Sequence, residues 1–176
     1  MLEIEDDFLE KIQALEPTVL VAVYDRYNDA LFRYAYRLLG DRDRAEDCVA
    51  ETFSRFLKAI HEGKGPRLAV RPYLYRIAHN WITDYYRRPS PETESLSENY
   101  SDPNNNPETL TNDKLEQVFV RNALHNLTPD QRQVIVLKFL EEWETAEIAK
   151  ALKKPVGAVK ALQNRGLRTL KKIMKV

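Results

Sequence analysis

The segment RPYLYRIAHNWITDYYRR, residues 71–88, interleaves aromatic, basic and aliphatic side chains along one predicted helix. Apolar residues at three- and four-residue steps predict a buried stripe that consists of Leu74, Ile77, Ala78, Trp81 and Tyr85. The opposite face then carries Arg76, Asn80, Thr83 and Arg87, with Tyr73, His79 and Tyr86 beside it. Because basic groups follow phosphates and aromatic rings stack on unpaired bases, this pattern indicates a helix that binds single-stranded nucleic acid.

The loop before this helix, residues 63–71, is basic and contains glycines near its start. Such a loop can hold a base that has been pulled out of the stack, since extrusion is inexpensive where base pairing is already weak. On the helix itself, Asn80 can hydrogen-bond a base edge or cap a neighbouring loop. The residues alone leave these two roles open.

Three further helices are predicted upstream of this segment. The first covers residues 6–15 and ends before Pro17, and the second covers residues 18–39. Gly40 follows the second helix and suits a left-handed cap. The third helix starts near Asp43, with Glu46 three residues later as in a capping box. With the segment at 71–88, these elements predict a small helical bundle.

Downstream, residues 113–176 predict a second helical domain. One helix covers residues 114–125, and Thr128, Pro129 and Gln131 then form a capping box that opens the next. A short helix over residues 145–152 and a longer basic one over residues 156–174 follow across a tight turn. This arrangement is typical of a helix-turn-helix whose second helix enters the major groove of DNA.

Within this motif, Val156 and Val159 are predicted to seat the second helix on the first. The residues left to reach base edges are then Ala158, Lys160, Gln163 and Asn164. The groups better placed for phosphates, which set register rather than sequence, are Lys154, Arg165, Arg168 and Lys171.

Charge is segregated along the chain although the formal net charge is zero. From residue 145 onward, Glu147 is the lone acidic residue among many lysines and arginines, as expected of a DNA-binding module. Residues 89–113 are acidic, rich in proline, serine and asparagine, and without lysine or arginine. This composition predicts a flexible acidic linker at 89–112 between helical domains at 1–88 and 113–176, and therefore an all-α protein.

Several kinds of site are not expected from this composition. The single cysteine, Cys48, excludes an intrachain disulfide and a cysteine zinc cluster, and the three histidines lack metal-binding spacing. No cofactor is therefore predicted. No apolar run approaches the roughly 20 residues that cross a bilayer, and the acidic N-terminus is unlike a signal peptide. We expect a cytoplasmic protein without membrane insertion.

Two stretches together resemble the extracytoplasmic-function sigma factors, compact members of the sigma-70 family. YDRYNDALFRYAYRLLGDRDRAEDCVAETFSRFLKAI followed by RPYLYRIAHNWITDYYRR resembles region two, with its AED…V.ETF helix and its LY.IA.N…D..RR helix. ALHNLTPDQRQVIVLKFLEEWETAEIAKALKKPVGAVKALQNRGLRTL resembles region four. The resemblance implies a region-two bundle, a region-four helix-turn-helix, and promoter recognition together with core RNA polymerase.

The resemblance also implies roles for individual residues. A face on the third helix would dock on the clamp helices of the largest polymerase subunit: Asp47, Glu51, Thr52 and Arg55. The loop and fourth helix would melt and read the minus-ten element through Arg67, Arg71, Tyr73, Arg76, Asn80, Thr83, Asp84, Arg87 and Arg88. Residues 156–168 would read the minus-thirty-five element, and region four would also rest on the polymerase flap. The linker would thread the RNA exit path, and an anti-sigma factor is an expected partner.

Some positions depart from the family pattern. Glu144 stands where a serine or threonine usually caps the first helix of the pair, and Lys153 stands at the turn glycine. Pro155 replaces a serine, and Leu162 replaces an arginine common in the recognition helix. These changes leave the fold intact and leave the minus-thirty-five sequence undetermined.

Two other classes of function fit the sequence less well. A helix-turn-helix regulator that binds DNA without polymerase would share the C-terminal motif, but a sensor domain has no reason to carry the aromatic and basic helix at 73–88. A small helical enzyme would need a phosphate loop, metal spacing or a nucleophile with its base, and the sequence has none of these signatures. We expect a transcription initiation factor rather than an enzyme.

Overall fold

A computed structural model describes residues 2–88 and 112–174, and all regular elements in these ranges are helices. The first domain contains α1 (Leu2–Gln13), α2 (Pro17–Leu39), α3 (Arg42–His61) and α4 (Val70–Arg87). The second contains α5 (Asn112–His125), α6 (Pro129–Ile135), α7 (Thr145–Leu152) and α8 (Val156–Met174). The all-α prediction is confirmed. The predicted linker, apart from Asn112, lies outside the described residues.

In the first domain, α2, α3 and α4 pack around one apolar core that includes Leu31, Phe56 and Leu74. Gly40 ends α2 in the predicted left-handed conformation, with φ of 72°. The predicted capping box at Asp43 and Glu46 is wrong, because the side chain of Asp41 caps α3 by accepting a hydrogen bond from the Arg44 amide at 2.8 Å. Asp41 is the first side chain after the Gly40 turn that can reach the open amides of the helix.

Helix α4 is buried on more sides than the sequence indicated. Leu74 and Ala78 are buried as predicted, whereas Ile77, Trp81 and Tyr85 pack against the core but remain half-buried. The structure buries three other α4 side chains that the predicted stripe omitted: Tyr75, His79 and Ile82. These three lie on a second face of α4, which the other domain covers.

The second domain contains the expected helix-turn-helix. The predicted capping box at Thr128 and Gln131 is present at the start of α6. Between α7 and α8, Lys153 takes the left-handed turn with φ of 52°, a conformation that glycine adopts more easily. Val159 of α8 is fully buried, as predicted, whereas Val156 is exposed. Helix α8 therefore packs on the rest of the domain through Val159 and Gly166.

The segment between α6 and α7 departs from regular helix. Residues Val136–Leu140 form a π-helix, a form that appears mostly as short bulges at functional sites. Glu142 then adopts a left-handed conformation with φ of 57°. These two features turn the chain so that Glu141 and Trp143 face the first domain.

Among the described residues, no helix is both long enough and apolar enough to span a membrane. The same residues hold no cluster of side chains suited to a metal ion.

Candidate nucleic-acid interface

The outward face of α4 presents most of the residues predicted to contact the minus-ten element. Asn80, Asp84, Arg87 and Arg88 are exposed, and Tyr73 and Arg76 are half-exposed beside them. On a helix of 3.6 residues per turn, positions 73, 76, 80, 84 and 87 fall on one side. Asn80 lies in the middle of the helix and exposed, which suits contact with a base edge better than capping of a loop.

Tyr73 joins the preceding loop to this face. Its hydroxyl donates a hydrogen bond to the carbonyl oxygen of Lys64 at 2.8 Å, and the Arg76 guanidinium lies 5.0 Å from the centre of its ring. The loop carries Arg67, which is exposed, and Leu68, whose side chain is 82% exposed. Leu68 is not among the site residues predicted from the sequence, although an exposed apolar residue beside a nucleic-acid face can wedge between base steps.

Two predicted minus-ten residues lie elsewhere. Arg71 points to the second domain, where its guanidinium sits 4.0 Å from the centre of the Trp143 ring and 3.8 Å from a Glu147 carboxylate oxygen. Thr83 is half-buried, with its hydroxyl 3.4 Å from Nε2 of His79. In this arrangement neither side chain belongs to the open face of α4.

The predicted recognition helix α8 presents an exposed basic side. Lys160, Asn164, Arg165 and Arg168 are exposed, whereas Ala158 and Gln163 are half-buried. Lys154, predicted to contact phosphate, instead forms an ion pair with Asp130 at 3.3 Å. Leu162 is half-buried against the core and therefore faces inward.

Three of the four side chains predicted to dock on polymerase lie at the surface of α3. Asp47 is exposed, and Glu51 and Arg55 form an ion pair at 2.7 Å one helical turn apart. Thr52 is wrong as a surface contact, because it is fully buried and its hydroxyl donates to the carbonyl oxygen of Cys48 at 2.7 Å. A threonine inside a helix often satisfies its hydroxyl in this way.

Family models match both domains. Sigma-70 region 2 matches residues 23–91, and Sigma-70, region 4 matches residues 123–172. The first matched stretch contains most of α2 and all of α3 and α4, and the second contains α6, α7 and most of α8.

Several curated proteins are similar over most of this chain. The ECF RNA polymerase sigma factor SigL of Mycobacterium tuberculosis is 32% identical over 162 residues, which are 90% of each protein. SigX of Bacillus subtilis is 28% identical over 88% of this chain and 82% of its own length. BldN of Streptomyces coelicolor is 30% identical over 96% of this chain, but the chain spans only 65% of that protein.

Two solved structures share the fold. CnrH in complex with the cytosolic domain of CnrY superposes with a TM-score of 0.72 at 21% identity, covering 97% of both chains. RpoE of Bartonella quintana, in complex with the anti-sigma factor NepR, gives a TM-score of 0.58 at 22% identity, covering 89% of this chain and 94% of that one. With both family models in order and relatives above 30% identity, the chain belongs to the extracytoplasmic-function sigma factors of the sigma-70 family.

Proposed function

We propose that this protein directs core RNA polymerase to a specific class of promoters and starts transcription there. The observation that carries the proposal is the outward face of α4, where Tyr73, Arg76, Asn80 and Arg87 lie together on a helix matched by the region-two model. This combination of aromatic, amide and basic groups suits a DNA strand whose bases are unpaired.

At the minus-ten element we assign base contacts to Asn80 and Asp84, and stacking to Tyr73. Phosphates would be contacted by the exposed arginines around them: Arg67, Arg76, Arg87 and Arg88. Arg71 would contact phosphate only after it leaves its contacts with Trp143 and Glu147 in the second domain. Thr83 would contact DNA from the edge of this face.

At the minus-thirty-five element, Lys160 and Asn164 are the exposed candidates for base edges on α8. Ala158 and Gln163 flank them at half-buried positions, while Arg165 and Arg168 would contact phosphates. Lys154 would have to break its ion pair with Asp130 in order to contact a phosphate oxygen.

For polymerase, we assign docking on the clamp helices to the α3 face at Asp47, Glu51 and Arg55, and docking on the flap to region four. Passage of the linker through the RNA exit path remains a prediction on residues that the structure does not describe. The RpoE structure that shares this fold holds an anti-sigma factor, and we propose a partner of that kind here. The site of action would be the cytoplasm, on the nucleoid when the factor is in holoenzyme.

Transcription in vitro on a promoter library tests the proposal. Core polymerase with the purified protein is expected to start at a defined promoter class, whereas core polymerase alone starts at none. Asn80→Ala is expected to lower specific initiation by about fivefold or more, because the loss of one base contact costs about 1–3 kcal/mol. Tight binding to a palindromic site without polymerase, with no stimulation of core enzyme, would instead establish a helix-turn-helix regulator.

A further inference from the structure

Val156, the first residue of α8, is an aliphatic side chain at the surface of the DNA-reading helix. The sequence predicted that it packs α8 on α7, but Val156 is 42% exposed, whereas Val159 is fully buried. Leu162 and Gly166 continue the buried side of α8 beyond Val159. The contact of α8 with its own domain therefore leaves part of Val156 uncovered.

Helical geometry places Val156 in line with residues already proposed to reach base edges. Lys160 follows it by four positions and Gln163 by seven, so at about 100° per residue the three lie within about 60° of one another around the helix axis. Next to Val156, a Cβ placed on Gly157 would have no other described atom within 4 Å, so this end of α8 is open to a ligand.

The surface around Val156 suits DNA better than a protein partner. Its neighbours on the exposed side of α8 are Gly157, Lys160 and Asn164, which are small, basic and polar. The other large apolar residues that are exposed on the described part of α8, Leu167 and Met174, belong to its C-terminal half. Val156 therefore stands apart from them along the helix and forms no contiguous apolar patch with them, whereas an apolar patch is what marks a protein-docking site.

The chemistry of the major groove indicates which base a valine can contact. In a helix-turn-helix, the N-terminal residues of the second helix meet the base edges. Most groups displayed there are hydrogen-bond donors or acceptors, and thymine alone adds an apolar group, its 5-methyl. A valine placed over a donor or acceptor would remove water without replacing the lost hydrogen bond. Over a methyl group, the same valine buries apolar surface on both sides of the contact.

We propose that Val156 is a specificity-determining residue that packs on the 5-methyl group of one thymine in the minus-thirty-five element. The base pair that meets the first turn of α8 would then have to be A·T, while Lys160 and Asn164 read neighbouring pairs by hydrogen bonds. The inference rests on the proposed function, because it requires that α8 enters the major groove of promoter DNA.

Replacement of thymine by deoxyuridine tests this contact, since it removes the 5-methyl group and keeps every hydrogen-bonding group of the base pair. Each thymine of the minus-thirty-five element, on either strand, is replaced singly in a promoter of the class obtained from the library. Binding of holoenzyme, assembled from core polymerase and the full-length protein, is measured by competition. We expect a loss of about fourfold at one position, the effect of leaving one methyl group unburied.

Val156→Ala connects that loss to this side chain. The variant is expected to bind the thymine promoter about fourfold or more weakly than the wild type. At the sensitive position it should bind the uracil promoter as well as the thymine promoter, because the two changes remove the same contact and are therefore not additive. A merely structural role of Val156 would instead weaken binding to both promoters equally and preserve the difference between them.

Val120→Ala is the matched control, because it is the same substitution at a valine of α5 that is 44% exposed. It should keep the wild-type loss on the uracil promoter. If V156A lowers the helical circular dichroism signal, Val156→Thr takes its place, since it keeps the branched shape and exchanges one methyl group for a hydroxyl. Its loss with uracil should be smaller than that of the wild type.

Two results would overturn the thymine contact. One is a wild-type holoenzyme that binds every uracil promoter as well as the thymine promoter, and the other is a V156A holoenzyme that keeps the wild-type loss with uracil. In both cases the protein still directs polymerase to its promoters. Failure of the proposed function would instead appear as the absence of promoter-directed initiation by the wild type, so the two failures are distinguishable.

Discussion

Asp47 and Glu51 lie one helical turn apart on the exposed side of α3. Their charges can therefore be reversed together to test polymerase docking. Reversing both charges (D47R/E51R) is expected to weaken binding to core polymerase by about tenfold or more, because charges across an interface fix register and disfavour wrong partners. Loss of the exposed Glu51–Arg55 pair should cost little stability. Equilibrium binding to labelled core enzyme measures the effect.

The matched control is Asp25→Arg, which reverses an exposed charge on α2. It should bind core polymerase as the wild type does, and all variants should keep their helical circular dichroism signal. Unchanged holoenzyme assembly by D47R/E51R would remove this face from the docking assignment.

At the scale of the element, α8 depends on a close approach that only glycine permits. A Cβ placed on Gly166 would lie 2.9 Å from Cγ1 of Ile135, inside the domain core, whereas Gly157 on the same helix has open space around it. Gly166→Ala is therefore expected to lower the free energy of unfolding by about 1–3 kcal/mol, despite the better helix propensity of alanine.

Gly157→Ala, made in the same helix, should leave stability unchanged or raise it by roughly 0.5 kcal/mol. Urea denaturation of both variants measures the difference. Equal stability of the two alanine variants would mean that α8 can shift away from α6 without cost, which contradicts close packing at Gly166.

At the scale of the whole molecule, the junction between the domains makes stability depend on pH. Burial lowers the pKa of His79 from 6.5 to about 4, helped by Arg132 and Lys154 and opposed by Asp130, whose carboxylate oxygen lies 3.9 Å away. The unfolded chain exposes His79 and therefore binds more protons than the folded protein between pH 6.5 and about 4, so acid destabilises the folded protein. The expected loss between pH 7 and pH 5 is about 2 kcal/mol.

His79→Gln keeps a polar side chain of similar shape but cannot be protonated, so its free energy of unfolding should fall less steeply over this pH range. Some slope remains, since burial, Arg132 and Arg121 also lower the pKa of His125 to about 4. Denaturation curves at pH 7 and pH 5, with exposed His61→Gln as the control, measure the change. A pH slope in H79Q equal to that of the wild type would exclude His79 as its source.

The features that could be predicted from the sequence are those that depend on neighbouring residues along the chain. Most helix positions, the Gly40 and Thr128 caps and the helix-turn-helix follow from spacings within a few turns, because helical hydrogen bonds and caps join near neighbours. The same spacings predicted that Tyr73, Arg76 and Asn80 share one face of α4. The order of these elements also sufficed to indicate the family, which the comparisons established.

Which helix faces are covered depends on how the helices and the two domains pack. Thr52, Tyr75 and His79 are buried, although they were not part of the predicted core. Trp143 is buried against Tyr75 of α4, a contact that no local pattern indicated. Arg37 and Glu141 form an ion pair although they lie 104 positions apart, and contacts at that separation leave no periodic signal in the sequence. The physical reason is that α4 has two apolar sides and one polar side. Periodicity identified the side that faces its own bundle, whereas the side that faces region four depended on the packing of the two domains.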